Sequence, residues 1–183
     1  MKPGENTSPQ RKEPGKNQDA PAALTEDLRK LLLENGFDRV GFAAADSTPG
    51  TKEFSDWIDR GYSGNMDYLA RNAERRCDVG KVLEGTRSVI VMALHYGDER
   101  ALGIASPNSD RAEIAAYARG TDYHRVIEKR LKNCSRLLKD AFGGNYRYYV
   151  DTGPVLEKAW AQKAGIGWIG KNTCSIDADD GSY

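Results

Sequence analysis

The strongest chemical candidate in this chain is an aspartate at the end of a β-rich run. Asp151 follows Arg147-Tyr148-Tyr149-Val150 and precedes Thr152-Gly153-Pro154. There its carboxyl can rest against a partly apolar floor. A free Asp has a pKa near 3.9, so only about one molecule in a thousand carries the proton at pH 7. Work as a general acid requires a pKa raised by about 3 units, equivalent to about 4 kcal/mol of differential solvation. A plainer role fits the same residues: Asp151 or Thr152 caps a helix beginning at Pro154, in a first turn that tolerates proline. Spacing alone favours the cap.

Other residues with chemical potential lie in three segments. In AGIGWIGKN (164–172), three glycines surround Trp168. They can let the backbone approach a large ligand, with Lys171 and Asn172 meeting carboxamide, phosphate or substrate, or they can simply form a tight loop. The run is not a phosphate loop, since GxxxxGK[ST] is not satisfied. In ARGTDYH (118–124), Asp122-Tyr123-His124 begins like DxHxxG, in which a histidine binds the cobalt of cobalamin from below. Ile127 stands where the glycine belongs, so His124 is not read as a cobalt ligand. The third segment is the pair RNAERRCD (71–78) and EGTRSVIVMALHY (84–96). Each segment puts polar groups at a strand end or in the loop after it, where α/β folds bind ligands.

Arg125, Lys129, Lys132, Arg136 and Lys139 recur at spacings that place them on one helix face. Such a stripe suits a solvated face better than an RNA track, although it could serve as one. Cys77, Cys134 and Cys174 are odd in number and widely spaced, and no CxxC occurs. Free thiols in a reducing cytoplasm are expected, with no zinc or iron–sulfur site in this stretch.

Positioning these residues requires a layered framework. Residues 1–22 are polar, rich in Pro, Gly, Asn, Gln, Lys and Glu, and read as a disordered tail, leaving 23–183 as one domain. Leu24, Leu28, Leu31 and Leu32 predict a first helix, with Thr25 as cap and Gly36 as stop. Residues 37–44 predict a strand, 53–60 a helix stopped by Gly61, and 61–72 a loop entering a short helix. The apolar run 88–94 predicts a strand covered on both faces. Residues 97–112 read as a loop. A long helix is expected over 122–141, with Val126, Ile127, Leu131, Cys134, Leu137 and Leu138 as its apolar stripe. A strand over 146–150, a helix from Pro154 to Ala164 and a strand starting at 173–176 complete an α/β domain. The 27 basic residues balance 27 acidic ones, so global charge points to no nucleic acid. No apolar run approaches the roughly 20 residues of a membrane span, and the N-terminus lacks the apolar core of a secretory signal.

Five segments together resemble the epoxyqueuosine reductases: GFDRVGFA (36–43), WIDRGYSGNMDYLARNAERR (57–76), YARGTDYH (117–124), VDTGPVLEKA (150–159) and AGIGWIGKNT (164–173). Their order and spacing carry the resemblance, which covers about residues 24–183. It implies a fold similar to flavin-type nitroreductases and the reduction of epoxyqueuosine to queuosine at the tRNA wobble position. It also implies cobalamin without a lower histidine ligand, and a separate domain with [4Fe-4S] clusters that supplies electrons. Asp151 becomes the proton donor, which reverses the preference for a cap. Arg76, His124, Lys171, Asn172, Thr173 and Ser175 fall in segments that line the corrin or substrate pocket. Expected partners are tRNAs with queuosine-family anticodon loops and an electron donor, for a cytoplasmic monomer.

The chain departs from the family pattern at Val79 and Glu84, where prolines are usual, and at Cys174-Ser175, where leucines are common. It stops at Gly-Ser-Tyr, before any cysteine-rich cluster domain, so it is expected to bind cofactor yet turn over poorly alone. A stand-alone corrinoid-binding module taking electrons from a partner is the alternative. A flavin-using reductase is a third and weaker one.

Overall fold

The computed structural model describes residues 20–96, 114–179 and 181–183. The expected tail mostly, and the expected loop over 97–112 wholly, lie outside the described residues.

Helix α1 (Ala20–Glu34) starts before Thr25, which therefore sits inside the helix and does not cap it. Leu32 is fully buried, and Gly36 at φ 90° ends the element as expected. Strand β1 (Arg39–Ala44) pairs antiparallel with β2 (Ser88–Ala93), Arg39 opposite Ala93 and Ala44 opposite Ser88. Between them run α2 (Thr51–Asp59), α3 (Asp67–Arg71) and α4 (Ala73–Cys77), then a short 3₁₀ turn at Val79–Lys81. Helix α5 (Tyr123–Phe142) is the longest element. Helix α6 (Glu157–Lys163) leads into a small antiparallel sheet of β3 (Trp168–Ile169), β4 (Ser175–Asp177) and β5 (Gly181–Ser182). The architecture is mixed α/β, with two small antiparallel sheets among the described residues.

The continuous apolar run of β2 has the expected cause. Ile90 and Met92 face one core cluster, while Val89 and Val91 face another. Strand side chains alternate in direction, so a strand with a cluster on each face needs apolar residues at every position. The first cluster joins Leu32, Phe37 and Val40 to Leu131, Cys134 and Leu138 of α5. Each such large apolar side chain stabilises the fold by roughly 1.5–3 kcal/mol on burial. The second centres on Ala43, Val79 and Trp160. At Gly41 the sheet meets the end of α6, where a Cβ would lie 2.3 Å from the Ala164 carbonyl oxygen. Only glycine allows that approach.

Two expected elements differ. Residues 146–150 do not join a ladder, although Tyr146, Tyr148 and Val150 pack on the first cluster with strand-like alternation. A groove of about 1850 Å³ is lined by both this segment and β2, and across it the ladder is not formed. Helix α6 starts at Glu157, not at Pro154. Residues 151–155 are consumed by a turn folded back on Tyr149, where a Cβ on Gly153 would lie 2.3 Å from the Tyr149 ring.

Candidate functional site

The turn that delays α6 also presents Asp151. Thr152 N–H donates to the Val150 carbonyl at 2.6 Å, closing a three-residue turn around Asp151, whose φ is 56°. A non-glycine residue seldom adopts that conformation, and such strain concentrates at functional sites. Asp151 caps no helix: the N-cap of α6 is Leu156, without a side-chain hydrogen bond.

Two side chains from the start of α5 converge on the Asp151 carboxyl. The Tyr123 hydroxyl donates to Oδ2, and His124 Nε2 lies 3.4 Å from the same oxygen. The bond to the carboxylate pushes the Tyr123 phenol up to about 12, so it remains a proton-bearing donor at neutral pH. The His124 ring stacks on Tyr123 with centroids 4.1 Å apart. Its Nδ1 lies 2.8 Å from Asp122 Oδ1, and the same oxygen accepts the His124 backbone N–H at 3.0 Å as the helix N-cap. The His124 side chain, bonding to it first, and then that backbone N–H hold the Asp122 carboxyl below its ordinary range. Both imidazole nitrogens therefore face carboxylates. Tyr117 and Tyr96 extend the cluster as edge-to-face rings, at 5.9 Å per step.

Glu157, the first residue of α6, lines the same groove as Asp151, and burial pushes its carboxyl up. Its Oε1 is buried without a partner, as is Nε of Arg76. Arg76, from α4, donates through Nη1 to the Val155 carbonyl at 3.3 Å. Of the expected site residues, the structure brings together Asp151 and His124, while Arg76 meets the same turn at Val155.

Lys171, Asn172, Thr173 and Ser175 form a separate group on the β3–β4 turn. Lys171, Asn172 and Thr173 are exposed and Ser175 is buried. Asn172 Oδ1 accepts the Cys174 N–H at 3.2 Å, and Thr173 sits at φ 67°. Ser175 opens onto the groove that Tyr123, Asp151 and Glu157 also line. Of the two readings of these glycines, the tight loop fits Gly167 and Gly170. A Cβ on Gly167 would lie 2.1 Å from the Ile176 carbonyl oxygen, and one on Gly170 would lie 2.4 Å from the Ile176 side chain. Their smallness serves the approach of β4. Gly165, Gly167 and Gly170 do have the spacing GxGxxG. They follow a helix and enter a strand, however, the reverse of a dinucleotide loop.

Tyr123, Asp122 and Glu157 were not singled out from the sequence. A signal existed for the last: Glu157 lies three and four residues before buried Trp160 and Ala161, on their side of α6. The three cysteines are free, Cys134 buried and the other two half-buried, and burial pushes the Cys134 thiol up. Arg125, Lys129, Lys132, Arg136 and Lys139 of α5 are all exposed. Among the described residues, no helix is long and apolar enough to cross a membrane.

Comparison with known proteins gives a consistent result. The family described as "Epoxyqueuosine reductase QueG, DUF1730" matches residues 76–152. An epoxyqueuosine reductase of Gloeobacter violaceus is 43% identical over 167 residues, covering 90% of this chain and 50% of the relative. One from Escherichia coli is 32% identical, covering 87% and 43%. The structure of epoxyqueuosine reductase from Streptococcus thermophilus superposes with a TM-score of 0.71 at 28% identity, over 87% of this chain and 43% of that one. A crystal structure of epoxyqueuosine reductase with a tRNA-Tyr epoxyqueuosine-modified stem loop gives 0.71 at 26% identity, over 88% and 43%. The chain spans about half the length of the curated relatives it matches. Over that half, in sequence and in fold, it is similar to the epoxyqueuosine reductases.

Proposed function

We propose that this chain carries the reductive site of an epoxyqueuosine reductase, in which residues 23–183 bind cobalamin and Asp151 donates a proton to the epoxide of epoxyqueuosine in the tRNA wobble position. The convergence of Tyr123 and His124 on one oxygen of a backbone-strained Asp151 is the observation that carries this reading. Reduction of an epoxide to an alkene consumes two electrons and two protons. Both carbon–oxygen bonds break, a carbon–carbon double bond forms and the oxygen leaves as water. Asp151 protonates the departing oxygen, which makes it a better leaving group. The Tyr123 hydroxyl and the His124 ring fix the carboxyl in place. Asp122, on the far side of the imidazole, orients the ring so that Nε2 can return a proton to Asp151.

The residues present fit a corrin-sized ligand. The groove has the volume, and its lining includes buried polar atoms without a partner, Glu157 Oε1 and Trp160 Nε1. Ser175 and Tyr123 would border the ligand there, with Arg76, His124, Lys171, Asn172 and Thr173 contributing as the family resemblance implies. When bound, cobalamin supplies low-potential electrons to the epoxide. Those electrons would reach it from [4Fe-4S] clusters outside this chain. The nitroreductase-like character of the fold, a cytoplasmic location and a monomeric state belong to the same reading.

The test supplies the chain with cobalamin, a chemical reductant and an epoxyqueuosine-modified tRNA stem loop, and follows the nucleoside by mass. Loss of one oxygen is expected. Cobalamin binding without turnover under these conditions would favour the stand-alone corrinoid-binding module. Flavin in place of cobalamin would sink both.

A further inference from the structure

We propose that a basic cleft on the outer side of helix α5 is a phosphate-binding site that takes the phosphodiester backbone of RNA. The cleft has a volume of about 640 Å³ and lies between the end of α1 and the first half of α5. Arg125, Lys129 and Arg130 line it together with Thr121, Asn35 and Asn133, and no acidic residue does. The α5 residues that line the large groove, such as Tyr123 and Ile127, are not part of it, so the two openings sit on different sides of one helix. Among the described residues Arg125 and Lys129 form no ion pair, whereas Lys30, Lys52 and Lys81 on other elements each do. Arg125 stands in the first turn of α5, which holds no acid, and Lys129 follows four residues later. A cation in the first turn opposes the helix dipole, and like charges at i and i+4 repel. Both placements weaken the helix until an anion offsets them.

The wall of the cleft is fixed before any ligand arrives. Arg130 donates to the Gly36 carbonyl, and its guanidinium lies 3.3 Å from where a Cβ on Gly36 would stand. Asn133 Nδ2 donates to Asn35 Oδ1 at 2.8 Å, and Asn35 Nδ2 donates to the Leu31 carbonyl at 2.8 Å. Arg130 keeps further N–H groups for a ligand, and a guanidinium fork matches phosphate oxygens. Donors already held in place bind at a lower cost in ordering. The setting favours a polymer over a free anion. Arg125 and Lys129 are about 6 Å apart along the helix axis, and a row of phosphates meets both. Thr121, on the rim, directly precedes Asp122-Tyr123-His124, so an RNA with one nucleotide at Asp151 can lay its flanking backbone here. That this RNA is the substrate rests on the proposed function, while the cleft rests on its own geometry.

The test titrates a fluorescent anticodon stem loop against the full 183-residue chain at a series of salt concentrations. The variant is Arg125→Ala with Lys129→Ala, at exposed positions where alanine favours the helix. It should bind about fivefold more weakly at low salt, and its plot of log affinity against log salt should be shallower by about 1–2. A control of equal charge change, Lys52→Ala with Lys81→Ala, should bind as the wild type does. An unchanged slope in the first variant would overturn the proposal, as would an equal loss in the control, which would reduce the effect to net charge. Poly-glutamate and inorganic phosphate, each at matched ionic strength, serve as competitors and should displace the stem loop poorly. Displacement by poly-glutamate that depends on Arg125 and Lys129 would overturn RNA in favour of an acidic protein, and the same result with phosphate would make the cleft a free-anion site. None of these readouts needs turnover. Stem-loop binding with the expected slopes but no reduction would sink the proposed function and leave the cleft standing, whereas reduction with unchanged slopes would do the reverse.

Discussion

The two ends of helix α5 solve opposite problems. Its C-terminal half buries Cys134 and Leu138, which with Leu131 of the preceding turn pack against α1 and β1 in one apolar cluster. Its N-terminal turn presents Tyr123 and His124 to a strained, solvent-reaching carboxyl. The first region is held by many interchangeable apolar contacts. The second depends on a few directional ones, each aimed at a particular atom. Damage to the first should therefore appear as lost stability with chemistry intact in the surviving molecules, and damage to the second as the reverse.

The most severe test of that division is Asp151→Asn, which keeps shape and removes the proton donor. Turnover should fall by about 10²–10⁴-fold, the usual worth of a general acid, with the melting temperature nearly unchanged. Single-turnover rates beside thermal melts decide this, and wild-type-like turnover would remove Asp151 from the mechanism. Leu131→Ala is the mirror case. It should destabilise the chain by about 2–5 kcal/mol in urea unfolding while leaving the rate per folded molecule close to normal.

Much of the first region was legible in the sequence, and little of the second. The bounds of α2, β2 and α5 follow from apolar periodicity and glycine stops, because a helix or strand face repeats and a repeat is visible. Tyr123 was passed over because its partner is 28 residues away and nothing local marks it. The expected strand at 146–150 shows the limit from the other side. Its alternation is real and its residues face the core, yet a ladder also needs an adjacent edge, which alternation does not report. The helix misplaced at Pro154 shows the same limit, since the tight approach of Gly153 to Tyr149 is a tertiary fact.

A milder change, Tyr123→Phe, sharpens the comparison by touching both properties. Turnover should drop by roughly tenfold through a loosened Asp151 carboxyl. The phenol's value, raised from 10.0 to about 12 by its bond to Asp151, also has a stability consequence. A raised value means that the folded state holds the proton more tightly. The stabilisation is complete below pH 10 and is lost as pH climbs through about 12. Urea melts across that window should show a decline in the wild type that is absent from the Phe variant. The smallest effect concerns the exposed face of α5. Lys129→Glu with Lys132→Glu should leave folding unchanged. If this face meets RNA, binding of the stem loop should weaken several-fold with a shallower salt dependence. Titration at two salt concentrations separates this from a face that is merely solvated.

Asp122 ties the two regions together in a way that bears on how the chain can change over time. One oxygen of its side chain both starts helix α5 and grips the imidazole of His124. Serine or threonine would begin a helix about as well. A lineage drifting to either would keep its fold and present a neutral hydroxyl to the ring. The position is therefore subject to two selective demands, a helix cap and a charged partner for the ring, and only aspartate meets both at this side-chain length. Substitutions that look conservative by folding criteria would be visible to selection through chemistry alone.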